Sequence, residues 1–182
     1  MAQPPDPSSR PASTLPPDDL QRQLTVARPN REDGLHHVSL AGDVYTILIT
    51  GEETAGRYCL IDMLVPAGGG PPPHRHDFEE MFSILEGEIQ VTFRGQPVIA
   101  HAGETVNIPA NAPHFFRNVS QKTARLLCLC SPAGQEKYFL EVGIPVASRT
   151  LPAPKPSEAQ ARAMKEKAEA LAAEYRTEFL PA

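Results

Sequence analysis

The sequence is poor in several residue types, and each shortage excludes a class of protein. Three cysteines are an odd and sparse set, too few for the disulfide framework of a small secreted protein. No stretch approaches the roughly 20 apolar residues of a membrane span, and residues 1–19 lack the apolar core of a signal peptide. We therefore expect a cytoplasmic protein with no membrane partner.

Basic residues are also in short supply. Seventeen Lys and Arg stand against 22 Asp and Glu, which leaves a net charge of −5. Nucleic-acid binding usually requires a basic surface, so we expect no nucleic-acid partner. Hydrophobic residues make up 41% of the 182 residues and charged residues 21%. This ordinary globular composition argues against global disorder, collagen and coiled coil.

Aromatic residues amount to only 6%, and tryptophan is absent, whereas there are 20 prolines and 12 glycines. Such frequent turn residues favour short strands over a helical bundle. Between residues 44 and 130, short runs rich in Val, Ile, Phe, Tyr and Thr alternate with Gly, Pro or Asn, as in a β-sandwich or barrel. Residues 88–93 alternate apolar and polar side chains, which predicts an antiparallel strand with one buried face.

Two other runs, residues 80–85 and 124–130, are apolar on both faces. Their outer faces therefore need cover from the terminal segments or from a second subunit, and we expect a homodimer. Cys128 and Cys130 lie on the same face of the second run. We interpret them as core residues; a Cys-X-Cys metal or redox pair is the alternative.

The chain divides into three parts. Residues 1–17 are a proline-rich segment that we expect to be a flexible, disordered leader. Residues 18–150 hold the barrel with its flanking segments, including a short helix predicted over residues 18–27. Residues 151–182 comprise a linker and a C-terminal helix.

The predicted C-terminal helix spans residues 157–180. Ser157 and Gln160 have the spacing of a capping box at its start. A narrow apolar stripe follows at helical spacing, formed by Met164, Ala168, Leu171, Tyr175 and Phe179. This stripe predicts docking along the outside of the barrel or across its mouth. One interpretation is simple packing that covers the sheet, and the other is a lid that limits water and shapes substrate entry.

Two histidines and a carboxylate share one short stretch of the chain. His74 and His76 are two residues apart, and Glu80 follows four residues later. In an extended chain, side chains at positions i, i+2 and i+6 lie on one face, so these three can converge inside a barrel. Glu79 has the opposite parity and is expected to face away.

A third histidine, His114, follows a turn bordered by Pro109 and Pro113. Three imidazoles and one carboxylate form a mixed nitrogen and oxygen set that suits one divalent metal per chain, such as Fe, Mn, Co, Ni or Zn. Four protein ligands leave positions open on a five- or six-coordinate metal. We interpret His36 and His37 as loop residues and His101 as a turn residue, all three without function.

These stretches resemble the two motifs of the cupin family. The first motif is matched by Gly68, His74, Arg75, His76, Glu80 and Gly87. The second is matched by Gly103, Pro109, His114 and Asn118, with Asn111 where the family usually has glycine. Asparagine also tolerates a left-handed backbone, so the match holds. The fifteen residues between the motifs, 88–102, are typical of a compact one-barrel member, and the resemblance covers roughly residues 40–132.

The resemblance implies an all-β fold, the double-stranded β-helix or jelly-roll barrel, here with a C-terminal α-helix. It also implies that His74, His76, Glu80 and His114 are the metal ligands. Cupins include dioxygenases, isomerases, decarboxylases, storage proteins and sensors, so the fold does not settle the function.

Some residues lie on the same inward-facing side of their strands as the predicted ligands, and these residues indicate the substrate class. Phe82, Ile84 and Phe116 predict an apolar substrate pocket, which favours a flat organic molecule over a sugar phosphate. The chain is similar to small bacterial quercetinase-like dioxygenases, which implies a flavonol- or diketone-like substrate, O2, and Glu80 as both ligand and general base. The alternatives are a metal-dependent isomerase or lyase that needs no O2, and a small-molecule binding or sensing protein.

Overall fold

The structure of the protein, a computed structural model, describes residues 15–31, 34–151 and 153–181. These residues form twelve strands and two helices. In chain order they are β1 (His37–Leu40), β2 (Asp43–Ile49), β3 (Cys59–Val65), β4 (His74–His76), β5 (Glu79–Glu86), β6 (Glu88–Phe93), β7 (Gln96–His101), β8 (Thr105–Ile108), β9 (His114–Arg117), β10 (Ala124–Ser131), α1 (Gln135–Val142), β11 (Ile144–Pro145), α2 (Glu158–Leu171) and β12 (Thr177–Phe179).

The strands form two antiparallel sheets, as expected for a jelly-roll barrel. One sheet has the strand order β11-β1-β2-β3-β10-β5-β8, and the other has the order β12-β4-β9-β6-β7. The core contains inward side chains of both sheets, among them Ile61 and Phe82 of the first and Ile89 of the second. Neither helix of the described chain is both long and apolar enough to cross a membrane.

Alternation along the strands sets which side chains enter the core. In β6, Ile89 and Val91 are buried, which confirms the pattern of residues 88–93. In β10, every second side chain is buried, and these include Cys128 and Cys130. Both cysteines are free and fully buried, which confirms their placement in the core.

The helix predicted over residues 18–27 is wrong, because residues 15–31 contain no helix. Leu20 and Leu24, which would have formed its apolar side, are 82% and 91% exposed. An amphipathic helix gains most of its stability from packing its apolar face, and here that face has nothing to pack against. Most of the predicted leader, residues 1–14, lies outside the described residues.

The C-terminal helix is shorter than predicted. The capping box of Ser157 and Gln160 is present, and α2 begins at Glu158, directly after Ser157. The helix ends at Leu171, however, and the predicted last part of it forms β12 instead. β12 pairs with β4 in the register of Thr177 with His76. The backbone N–H and C=O groups of β4, a strand of only three residues, thus gain hydrogen-bond partners. These groups would lack such partners if the helix continued to residue 180.

Two histidines lie in strands rather than in the predicted loop and turn. His37 begins β1, where its Nδ1 lies 2.8 Å from Thr46 Oγ1 of the neighbouring strand. His101 ends β7, and its Nδ1 lies 3.2 Å from a carboxylate oxygen of Glu88. Cross-strand side-chain pairing accounts for both placements.

A second helix, α1, was not predicted. It packs against the barrel through Phe139, whose ring centroid lies 5.0 Å from that of Tyr45. It also contacts α2, since the Tyr138 hydroxyl donates to the Ala168 carbonyl at 2.9 Å. The two helices and the barrel therefore pack together at one place.

Asp43 is a buried carboxyl at the start of β2. Its Oδ2 accepts a hydrogen bond from the Tyr45 hydroxyl at 3.1 Å. Its Oδ1 lies so close to Gly69 that a Cβ there would collide with it, so the loop leading to β4 requires glycine at this position. Burial raises the pKa of Asp43 to about 7, because desolvation of the charged form outweighs the hydrogen bond from Tyr45.

Asp43 therefore makes stability depend on pH. Because its pKa is raised in the folded state, its stabilising contribution is complete below about pH 4 and is lost as the pH rises to about 7. The free energy of unfolding should fall over this range relative to Asp43→Asn, by on the order of 3–4 kcal/mol. Urea denaturation of both proteins at pH 4 and pH 8 measures this, and a difference that is independent of pH would contradict it.

Candidate metal centre

Both sheets contribute side chains to one cluster. β4 places His74 and His76 inward with Arg75 outward, and His114 of β9 lies opposite His74 in the same sheet. Glu80 comes from β5 in the other sheet. The four residues are buried, and their ligand atoms all lie within 4.8 Å of one another. The set that the sequence predicted is thus brought together in full.

Glu80 lies at the centre of this cluster. Its Oε2 is 3.2 Å from His76 Nε2 and 3.1 Å from His114 Nε2. Glu79 points the other way, as its parity predicts, and accepts hydrogen bonds from the Ala110 backbone and the Asn107 amide. The alternation along β5 therefore separates the buried carboxylate from the exposed one.

The imidazole rings are oriented by backbone carbonyls. The Nδ1 atoms of His74, His76 and His114 lie 2.8–2.9 Å from the carbonyl oxygens of Pro72, Phe78 and Ala112, respectively. A carbonyl can only accept a hydrogen bond, so each Nδ1 carries a proton, and a ring in its neutral form presents an unprotonated Nε2.

Charge in the cluster follows from burial and from Glu80. Burial, with a smaller contribution from His114, lowers the pKa of His74 to about 4, so its ring is neutral at neutral pH. Burial alone would raise the pKa of Glu80. Hydrogen bonds from the Nε2–H groups that His114 and His76 carry when their rings are protonated outweigh this effect and hold that pKa below its usual range. The pKa of His114 is raised despite burial, because the Glu80 carboxylate stabilises the imidazolium.

The donor set fits a cation. The Nε2 atoms of His76 and His114 face the buried carboxylate of Glu80, and either protons on these rings or a positive ion between the groups must stabilise that arrangement. Three imidazoles and one carboxylate are typical ligands of a divalent transition metal. The cluster of His74, His76, Glu80 and His114 therefore fits a single metal site.

Asn111 has the backbone conformation that the second motif requires. Its φ is +67°, in the left-handed region that favours glycine and tolerates asparagine. In this conformation its backbone N–H donates to the carbonyl of His76 at 2.6 Å. The turn before His114 is thereby joined to the strand that carries two other ligands.

A cavity of about 1200 Å³ opens onto the cluster. Of the four candidate ligands, His74 and Glu80 line it. Phe116, predicted for the substrate pocket, lines it as well. Phe82 packs edge-on against Phe116 at 5.1 Å, and it and Ile84 are almost fully buried in the core. Their role as pocket residues stays a prediction.

Both helices line the cavity, α2 through Met164 and Ala168 of the predicted stripe and α1 through Phe139. Phe139 and Cys128 were not found from sequence. The Cys128 thiol donates to Glu80 Oε1 at 3.3 Å. The alternation along the strand predicted that Cys128 is buried, but it did not predict this contact, because residues so far apart in sequence leave no local pattern.

Residues 61–130 match the sequence profile of the family described as the cupin domain. The match falls on the strands that carry the cluster. The matched part of the barrel is a cupin domain. A solved structure of similar fold is a predicted oxalate decarboxylase from Thermotoga maritima, with a TM-score of 0.52 and 21% identity, covering 59% of this chain and 99% of that one.

Two sequence relatives share part of this cupin. Quercetin 2,3-dioxygenase of Bacillus subtilis is 27% identical over 115 residues, which is 62% of this chain and 34% of that protein. Polyketide synthase CurC of Streptomyces cyaneus is 31% identical over 107 residues, which is 57% of this chain and 64% of that protein. The chain thus spans less than two thirds of the length of these relatives.

Loss of one imidazole should empty the site. We expect the wild-type cupin to retain close to one divalent transition metal per chain and His76→Ala to lose most of it, while the core strands keep the barrel folded at a cost on the order of 1–3 kcal/mol. Elemental analysis with circular dichroism measures both. The control is His36→Ala, which changes an exposed histidine. This variant should retain its metal. Equal metal content in both variants would contradict the assignment.

Proposed function

We propose that this cupin is a metal-dependent dioxygenase that cleaves a small flavonol- or diketone-like substrate with O2. The observation that carries the proposal is the position of the three-histidine, one-glutamate cluster at a large and mainly apolar cavity. His74 and Glu80 face that cavity, so a bound molecule would meet the cluster on this side. The partial similarity to quercetin 2,3-dioxygenase favours the same reaction class.

The cavity favours a flat apolar molecule. Its lining includes Met63, Phe116, Phe139 and Met164, side chains that can pack against an aromatic ring. Its volume of about 1200 Å³ lies just above the usual range for pockets that hold drug-sized ligands. A ring system with a few oxygen atoms, directed at His74 and Glu80, suits this lining.

A divalent metal held by the four residues would supply Lewis-acid stabilisation of negative charge on substrate oxygens. The chain itself supplies the proton acceptor, Glu80, whose pKa is held low and which is therefore ionised at neutral pH. A weakly basic carboxylate removes a proton efficiently only from an acidic hydroxyl. Flavonols and enolised diketones carry such a hydroxyl, which is consistent with this substrate class.

The reaction is tested by oxygen uptake of the metal-loaded protein with a panel of flavonols and β-diketones. We expect uptake with at least one compound, and a loss of roughly 100-fold or more in turnover in Glu80→Gln, which removes the proton acceptor. Glu79→Gln is the matched control, since this adjacent carboxylate is exposed and faces away; it should keep wild-type turnover.

Other outcomes of the same assay would favour the alternatives. Turnover that continues without O2 would indicate an isomerase or lyase. Tight binding without turnover would indicate a binding or sensing protein. Either result would contradict the dioxygenase proposal while leaving the metal site intact.

We also propose that α2 acts as a lid over the cavity. The predicted apolar stripe is half-buried in the structure, and Met164 and Ala168 of this stripe line the cavity. Contacts with α1 hold the helix and the turn after it in place. Lys167 Nζ of α2 donates to the Glu141 carbonyl at 2.6 Å, and the Tyr175 hydroxyl, in the turn, donates to the Glu141 carboxylate. A helix in this position limits access of water to the cavity.

A bulky side chain on the inner face of α2 should change substrate selectivity. Ala168→Trp fills part of the cavity, so we expect KM for a large flavonol to rise roughly tenfold, as lost complementarity of about 1.4 kcal/mol implies, with a smaller change for a small diketone. Ala170→Trp adds the same side chain on the exposed face of the same helix and is the control. Equal kinetics in both variants would contradict the lid.

We propose that the protein forms a homodimer through the outer face of the larger sheet. Met81 and Leu129 are neighbours on adjacent strands of that face and are half-buried, and Leu85 is 40% exposed. An apolar face of this kind is a common site of subunit contact. Light scattering at micromolar concentration should give the mass of a dimer, and Leu129→Glu should shift it towards a monomer; a wild-type monomer would contradict the proposal.

A further inference from the structure

Three thiols lie behind the cluster of candidate metal ligands. Cys59, Cys128 and Cys130 are free and fully buried. Cys128 Sγ lies 3.3 Å from Glu80 Oε1, and Cys130 Sγ lies 3.6 Å from Cys128 Sγ and 4.0 Å from the same carboxylate oxygen. Cys128 and Cys130 thus form a small network that ends on Glu80.

The two oxygens of Glu80 therefore have different neighbours. Oε2 faces the Nε2 atoms of His76 and His114, whereas Oε1 accepts the hydrogen bond from Cys128. A thiol is a weak donor, but a hydrogen bond to a charged acceptor at a buried position is stronger than the same bond in water. This pairing restricts rotation of the carboxylate about its last bond.

The geometry points to Cys128 as a positioning residue for Glu80: its S–H group holds Oε1, so that Oε2 alone is presented to the histidines. A carboxylate held in this way offers one oxygen to a cation rather than two. It leaves room on the side that faces the cavity for an oxygen of the substrate. This inference rests on the metal site proposed above and adds a residue that no motif of the sequence includes.

The test uses Co²⁺ as the probe, with affinity measured by competition against a chelator and with the visible absorption spectrum of the bound ion. Cys128→Ala should bind Co²⁺ roughly tenfold more weakly than wild type and should change the spectrum, as removal of a hydrogen-bond partner of a ligand does. Cys128→Ser retains an O–H donor and should recover affinity to within about threefold.

Cys59→Ala is the matched control. Cys59 is equally buried and lies opposite Cys130 on β3, so its truncation creates a similar cavity and should leave both affinity and spectrum unchanged. If Cys128→Ala matches Cys59→Ala, or if Cys128→Ser is as weak as Cys128→Ala, packing rather than hydrogen bonding explains the contact and the inference is overturned. Sulfur-to-cobalt charge-transfer bands in wild type would overturn it too, because the thiols would then be ligands.

A second measurement needs no metal and so separates this inference from the metal site itself. The S–H stretching band of Cys128, isolated by subtracting the Raman spectrum of Cys128→Ser from that of wild type, should lie at low frequency because the thiol donates to a carboxylate. In Glu80→Gln, a weaker acceptor, the band should shift upward. A band that does not move in Glu80→Gln would refute the hydrogen bond. If the band does shift but the wild-type protein fails to bind Co²⁺, only the metal proposal is refuted.

Discussion

The structure depends on placing four polar side chains, one of them an anion, inside a β-barrel. Each imidazole has its Nδ1 proton committed to a backbone carbonyl, and the remaining nitrogens of His76 and His114 converge on Glu80 Oε2. Burying such groups costs free energy unless each has a partner. A divalent cation at the meeting point of these lone pairs would supply the missing partner, and the rest of the fold holds the ligands in position for it.

The C-terminal segment contributes to this arrangement in two ways. β12 pairs with β4, the strand of His74 and His76, and ion pairs of Arg75 with Glu178 and of Arg176 with Asp77 join the same two chain segments. α2 meanwhile lines the cavity. Removing the whole tail would disturb the ligand strand and the cavity together, so only substitutions within α2 can separate the role of a lid from that of support.

Local patterns explain what could be predicted from the sequence. The choice of Glu80 over Glu79 follows from strand parity, and the structure agrees, since Glu80 is buried and Glu79 is exposed. The left-handed backbone of Asn111 follows from its place in the second motif.

Long-range pairing explains what could not be predicted. Tyr175 and Phe179 continue the apolar spacing of α2, yet the chain turns after Leu171 because β4 offers strand pairing there. The contact of Cys128 with Glu80 joins residues 48 positions apart.

The most direct test of the central claim is crystallography of the metal-soaked protein with anomalous scattering at the metal absorption edge. The account predicts one anomalous peak per chain, bound by the Nε2 atoms of His74, His76 and His114 and by one oxygen of Glu80, with the cavity side open. A peak bound by the sulfur atoms of Cys128 and Cys130, or no peak at the four residues after soaking, would contradict it.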